Sequence, residues 1–158
     1  IQHAGVLVGV GGLGAHIGSR QPRGSSGYFS RKLIAQQLSA VTAACLLVRR
    51  QVYEEVGGLD ERLKVAFNDI DFCLRLVERG YRNLWTPDAE LYHHESASRG
   101  LEDNPEKLAR FMSEIRHMQQ RWGAALAHDP AYNPNLSLEG APFTLAWSRA
   151  RGPSVAGP

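Results

Sequence analysis

Phe67-Asn68-Asp69-Ile70-Asp71-Phe72-Cys73-Leu74-Arg75 and Pro87-Asp88-Ala89-Glu90-Leu91-Tyr92-His93-His94-Glu95-Ser96 are the two stretches of this 158-residue chain whose reading decides its fold. Asn68 is a preferred N-cap residue, and Asp69 and Asp71 suit the positive end of a helix dipole. Ile70, Cys73, Leu74 and Val77 then recur on one face, so a helix is predicted from Asn68 to Arg79, with Gly80 as its C′ residue. Tyr81 to Thr86 and Ala89 to His93 read as short strands broken at Pro87. The segment thus sets two carboxylates at a helix start and imidazoles at a strand end. General-base chemistry and divalent-metal binding both draw on those groups.

Outward from this segment, Ala4 to Val10 and Val41 to Val48 are short apolar runs of the kind that form buried strands. Arg49 to Val56 reads as a short helix stopped by Gly57-Gly58. Between the two strands, Gly11 to Ser30 is rich in Gly, Ser, Pro and Arg and reads as a long loop, a mobile or acceptor-side flap. Asn104-Pro105-Glu106 supplies an N-cap followed by proline at the first helical position, and predicts a second helix ending near Trp122, before Gly123. Its Leu108, Phe111, Ile115, Met118 and Trp122 form one apolar stripe, the pattern of core packing. Strands alternating with helices give an α/β fold class. The expected division is one domain over residues 1–128 and a turn-rich, partly irregular extension over 129–158.

With 43% hydrophobic residues the chain has the composition of a globular domain. No apolar run approaches the roughly 18 residues that span a bilayer, and no secretory leader is evident. A cytoplasmic location, or one at the inner face of a membrane, is the expectation. Cys45 and Cys73 both lie in apolar runs and are expected to be buried, reduced thiols. The net charge of +2 conceals an asymmetry: residues 1–53 contain no Asp or Glu but carry Arg20, Arg23, Arg31, Lys32, Arg49 and Arg50. A one-signed segment of this kind suits a phosphate-bearing ligand or an acidic partner, and equally an ordinary solvated loop. Few aromatics interleave with these arginines, which argues against nucleic acid.

Gly9-Val10-Gly11-Gly12-Leu13-Gly14 fits the letters of a dinucleotide fingerprint. The fingerprint needs a helix starting within the glycines and an acid about 20 residues further on for the ribose. Here loop residues follow, and no acid precedes Glu54. A flexible glycine turn is the better reading. Asp71 can pair with Arg75 one helical turn later, which explains it structurally and leaves Asp69 the freer carboxylate. Strand alternation sends His93 and His94 to opposite faces, and His93 shares its face with apolar residues, making it the better candidate metal ligand.

Taken together, Gln2-His3-Ala4-Gly5-Val6, the run from Ser39 to Arg50, Val56-Gly57-Gly58-Leu59-Asp60-Glu61, Asn68 to Arg75, Gly80-Tyr81-Arg82 and Thr86 to Ser96 resemble, in order and spacing, the C-terminal half of family 2 inverting glycosyltransferases. The resemblance covers roughly residues 1–100. It implies the acceptor-side portion of a GT-A nucleotide-diphospho-sugar transferase fold, without the nucleotide-binding half and its metal-binding Asp-x-Asp. Asp69 falls at the family's catalytic base, with Asn68 where a glutamate is usual. Thr42, Ala43 and Ala44 match a small-residue stretch near acceptor and diphosphate, a vicinity that also takes in Asn68, Asp71 and Arg75. His93 falls at a C-terminal metal-site histidine. The implied partners are a nucleotide-diphosphate sugar, a saccharide or glycoconjugate acceptor and Mg2+ or Mn2+, in a role in polysaccharide biosynthesis. Without the nucleotide-binding half, the apolar strands around Val6 and Val41 would be exposed, predicting self-association.

Two other readings stand beside this one. One is a metal-dependent hydrolase gathering Asp69, Asp71, His93, His94 and Glu95 on one ion. The other is a non-catalytic module that binds carbohydrate or a partner protein.

Overall fold

Val6–Val8 (β1), buried throughout, and Gly14–His16 (β2) form an antiparallel hairpin in the computed structural model, which describes residues 2–93 and 104–147. The register pairs Val6 with His16, Leu7 with Ala15 and Val8 with Gly14. A 3-10 turn, Val10–Gly12, joins the strands and is closed by Gly9 N–H donating to the Leu13 carbonyl at 2.9 Å. Gly9 has φ 84°, and a Cβ there would lie 2.0 Å from the Leu126 carbonyl oxygen. Left-handed backbone and close approach together require glycine. The glycine run is therefore a tight hairpin turn pressed against a helix end, and part of the predicted 11–30 loop is strand.

Gln36–Leu38 (β3) pairs antiparallel with Asn83–Trp85 (β4), and Ala40 bridges back to Val6. Asn83 is buried and donates through Nδ2 to the Ser39 and Cys73 carbonyls at 2.9 and 3.1 Å, tying β4 to the neighbouring helix. The strand predicted from Val41 to Val48 does not form. Beyond Ala40 the chain leaves the sheet in a 3-10 turn, Ala43–Cys45, that Thr42 caps through its hydroxyl. Val41 is buried and Leu46 and Val48 pack against the core, whereas Ala43, Ala44, Cys45 and Leu47 are exposed, and no neighbouring strand pairs with this run among the described residues. Cys45 is accordingly an exposed thiol, contrary to expectation, whereas Cys73 is fully buried and burial pushes its thiol up to about 12.

Three helices follow: Arg50–Glu55 (α1), Asn68–Glu78 (α2) and Pro105–Ala127 (α3). Asn68 is the first helical residue of α2 and not its N-cap. Phe67 takes the cap position at φ 63°, held there by packing of its ring against the core and 5.6 Å from the ring of Phe111. In α3 the Asn104 side chain caps as predicted, accepting from Lys107 N–H at 2.8 Å. The helix runs through Gly123 because Leu126, beyond its expected end at Trp122, is buried along the same line as Trp122. Their burial outweighs the roughly 1 kcal/mol helix penalty of glycine. The buried line on α3 is Glu114, Met118, Trp122 and Leu126, with Leu108 exposed. Ala89 to His93 are irregular and exposed, not the predicted strand, with no strand edge beside them among the described residues.

The alternating faces of β1 separate two cores. Val6 and Val8 pack with Val41, Leu63, Ile70, Cys73, Leu74, Met118, Trp122 and Leu126. Leu7 packs on the other side with Ile17, Leu38, Tyr132 and Leu136. Residues just beyond 129 thus belong to the same packed body as the hairpin. The buried Asp129 carboxylate anchors them, accepting from Val8 N–H at 2.8 Å, Ala131 N–H at 2.8 Å and the Ser39 hydroxyl. A third cluster, Val52, Val56, Phe72 and Leu76, seats α1 on α2.

Candidate functional site

The left-handed Phe67 turns the chain sharply into α2 and delivers Asp69 to its first turn, half-buried, facing the turn after Thr42. One Asp69 carboxylate oxygen accepts from Ala43 N–H at 3.1 Å and the other from Ile70 N–H at 2.9 Å. The carboxylate is fixed by two backbone donors while remaining accessible. Such an acid can accept a proton from a hydroxyl placed against it.

Thr42 N–H, the amide before Ala43, donates to His3 Nε2 at 3.1 Å. His3 lies edge-on to His16, ring centroids 5.3 Å apart. Burial, and then the nearby His16, lower the His3 pKa to about 4, so the ring is neutral near pH 7 and Nε2 can accept. Gln2 Oε1 in turn meets His93 Nδ1 at 3.1 Å. A continuous line of contacts therefore runs from His93 through Gln2, His3, Thr42 and Ala43 to Asp69, uniting six residues that span positions 2 to 93. His3 and His16 went unassigned in the sequence because neither sits in a helical or strand pattern that marks it. Only the hairpin brings them beside residue 42.

The structure separates the other candidates. Asp71 is fully buried and bonds to Trp122 Nε1 and Arg75 Nε, both at 2.8 Å, with Arg121 at 3.3 Å. Arg75 also donates to the Val56 carbonyl. These two side chains join α1, α2 and α3 in the interior. Asn68 stands half-buried beside Asp69, and Ala44 is exposed in the adjoining turn. His94, Glu95 and Ser96 lie outside the described residues. Asp60, another side chain the sequence left unmarked, accepts from Arg62, His117 and Arg121, and the Arg62 hydrogen bond holds it well below the usual carboxylate range against the opposing effect of burial.

Magnesium and manganese prefer sets of oxygen ligands. Among the described residues no three His, Cys, Asp or Glu side chains converge, and Asp69, Asp71 and His93 occupy three different surroundings. Asp69, Asp71 and His93 do not by themselves form a divalent-ion site, and His94 and Glu95 of the hydrolase reading lie outside the described residues. A cleft of about 440 Å³ lies elsewhere, along the first half of α3, lined by Arg62, Lys64, Glu106, Lys107, Arg110 and Glu114. Its Glu114 is engaged structurally, accepting from Val65 and Ala66 N–H at 3.1 and 3.0 Å. Among the described residues no helix is long and apolar enough to cross a membrane.

No family model and no solved structure matches the chain. Curated proteins do resemble it, among them the following three. It is 55% identical over 150 residues to the uncharacterized protein y4gI of Sinorhizobium fredii, covering 94% of this chain and 16% of that protein. It is 39% identical over 139 residues to the O-antigen biosynthesis protein RfbC of Myxococcus xanthus, covering 87% and 11% respectively. Over 94 residues it is 34% identical to the N-acetylglucosaminyl-diphospho-decaprenol L-rhamnosyltransferase of Mycobacterium tuberculosis, covering 57% and 31%. The chain thus spans less than a third of the length of each of these relatives, and its likeness extends to a protein named as a sugar transferase.

Proposed function

We propose that this chain is the acceptor-side portion of an inverting glycosyltransferase of GT-A fold, acting in polysaccharide biosynthesis, with the nucleotide-binding part outside these 158 residues. The observation that carries the reading is the Asp69 carboxylate, held by the Ala43 and Ile70 amides yet accessible. Asp69 takes the proton of an acceptor hydroxyl as that oxygen bonds to the anomeric carbon. The bond from that carbon to the diphosphate breaks on the opposite face, and the nucleoside diphosphate leaves with the electron pair. Configuration inverts because the displacement is single. The small residues Thr42, Ala43 and Ala44 let acceptor and diphosphate approach the backbone. The relatives named for O-antigen biosynthesis and for rhamnosyl transfer support a saccharide or glycoconjugate acceptor.

The test is Asp69→Asn in the complete protein, assayed by acceptor-dependent release of nucleoside diphosphate from uridine- and thymidine-diphospho-sugars. The expected loss is about 100-fold or more in kcat, within the usual range for a general base, with the thermal midpoint unchanged. Asn keeps the side-chain shape and can still accept from the Ala43 amide but cannot take a proton. Transfer at the wild-type rate would sink the reading.

A further inference from the structure

We infer that His3 is a positioning residue for Asp69, acting through the Thr42–Ala43 backbone; the inference rests on the reading of Asp69 as the base. The backbone amides from residue 41 to 44 each have a named acceptor: Cys73 Sγ for Val41 at 3.5 Å, His3 Nε2 for Thr42, Asp69 Oδ2 for Ala43 and Thr42 Oγ1 for Ala44 at 3.4 Å. Sheet pairing stops at Ala40, whose carbonyl accepts from Val6 N–H at 3.1 Å. Beyond that point the ladder offers the turn no carbonyl, and His3, three residues before Val6, supplies an imidazole nitrogen instead.

Burial holds the ends of this turn, through Val41 in the core and Leu46 packed against it, but not its crest. Ala43, Ala44 and Cys45 are exposed and Leu47 is 99% exposed. The direction of the amides at the crest is therefore set by hydrogen bonds, and the one next to the Ala43 amide is made to His3. The acceptor is itself well anchored. Ala4 N–H donates to the Ile17 carbonyl at 2.9 Å, extending the hairpin, and the His3 ring abuts His16. An acceptor on a rigid hairpin thus fixes Thr42, Thr42 fixes the direction of the Ala43 N–H, and that N–H orients one oxygen of Asp69. A general base gains from being held in one orientation toward the proton it removes.

Two variants separate positioning from mere stability. Gln places an amide oxygen where Nε2 stands and can accept from Thr42, whereas Leu fills the space without accepting. In the complete protein, His3→Leu is expected to lower kcat about tenfold, the effect of losing one hydrogen bond of ordinary strength, while KM for the uridine- and thymidine-diphospho-sugars stays within about twofold. His3→Gln is expected to recover most of the rate. Independently of activity, hydrogen exchange at the Thr42 and Ala43 amides should quicken about tenfold in His3→Leu and return in His3→Gln. Unchanged exchange in His3→Leu, or faster exchange with kcat untouched, would overturn the inference. If His3→Leu does not fold, the imidazole 15N shifts of the wild-type protein near pH 7 decide, since a proton found on His3 Nε2 rules out acceptance from Thr42. Asp69→Asn tests the base reading separately, so the two can fail independently.

Discussion

His3 and Asp69 show how much at the residue scale depends on which groups surround a side chain. The ordinary histidine pKa of 6.5 falls to about 4 in the fold, first through burial and then through His16. The unfolded chain therefore binds more protons than the folded one between these values. Stability attributable to His3 is complete above about pH 6.5 and is lost as pH falls toward 4. The loss should be roughly 2–3 kcal/mol after allowing for the partial exposure of the ring. Urea unfolding at pH 7 and pH 5 should show a steeper decline in the wild type than in His3→Gln, which has no titrating group there. Parallel declines would contradict the assignment. The sequence marked Asp69 by its place in a helix start, but gave no reason to connect it with residue 3. Asp71 shows the converse: two letters away and equally acidic, it is turned inward and spent on Trp122 and Arg75.

At the scale of elements, the glycine-rich stretch after β1 carries the clearest consequence. Both Gly9 and Gly11 have positive φ, at 84° and 67°, yet a Cβ on Gly9 would meet the Leu126 carbonyl at 2.0 Å while one on Gly11 would meet nothing within 4 Å. Gly11→Ala should therefore cost only backbone strain, about 1 kcal/mol. Gly9→Ala should cost about 3 kcal/mol or more, because the hairpin must also lift from the end of α3. Thermal midpoints of the two variants measure the difference directly, and equal shifts would refute the packing argument. Helices were the legible elements. α2 was readable from its 3.6-residue period and its first-turn acids, and α3 from its period and its Asn104 cap, although α3 outruns its apparent stop at Gly123. Strands were less so, because each is only three residues long and is defined by its partner.

Across the whole molecule, Asp129 joins what looked like a trailing extension to the first strand. Its carboxylate satisfies Val8 N–H, Ala131 N–H and the Ser39 hydroxyl, and so keeps Tyr132 and Leu136 seated on Leu7 and Leu38. Asp129→Ala leaves these donors buried without their acceptor and should destabilise the protein by about 3 kcal/mol, read as a lowered urea midpoint. A change within about 0.5 kcal/mol, the usual scale for a surface site, would show that the segment is not anchored there. The amino-acid sequence by itself determined the two long helices, the Asn104 cap and the acid at the start of α2, because those depend on neighbours three or four residues apart. Tertiary structure alone decided the β1–β2 hairpin, the failure of the 41–48 run to become a strand, the inward turn of Asp71 and the approach of His3 to the Asp69 turn. The hairpin pairs residues within ten positions but is seated by Leu126 and Asp129, and the others depend on partners dozens of residues away; local pattern carries no record of which distant group will satisfy a given amide.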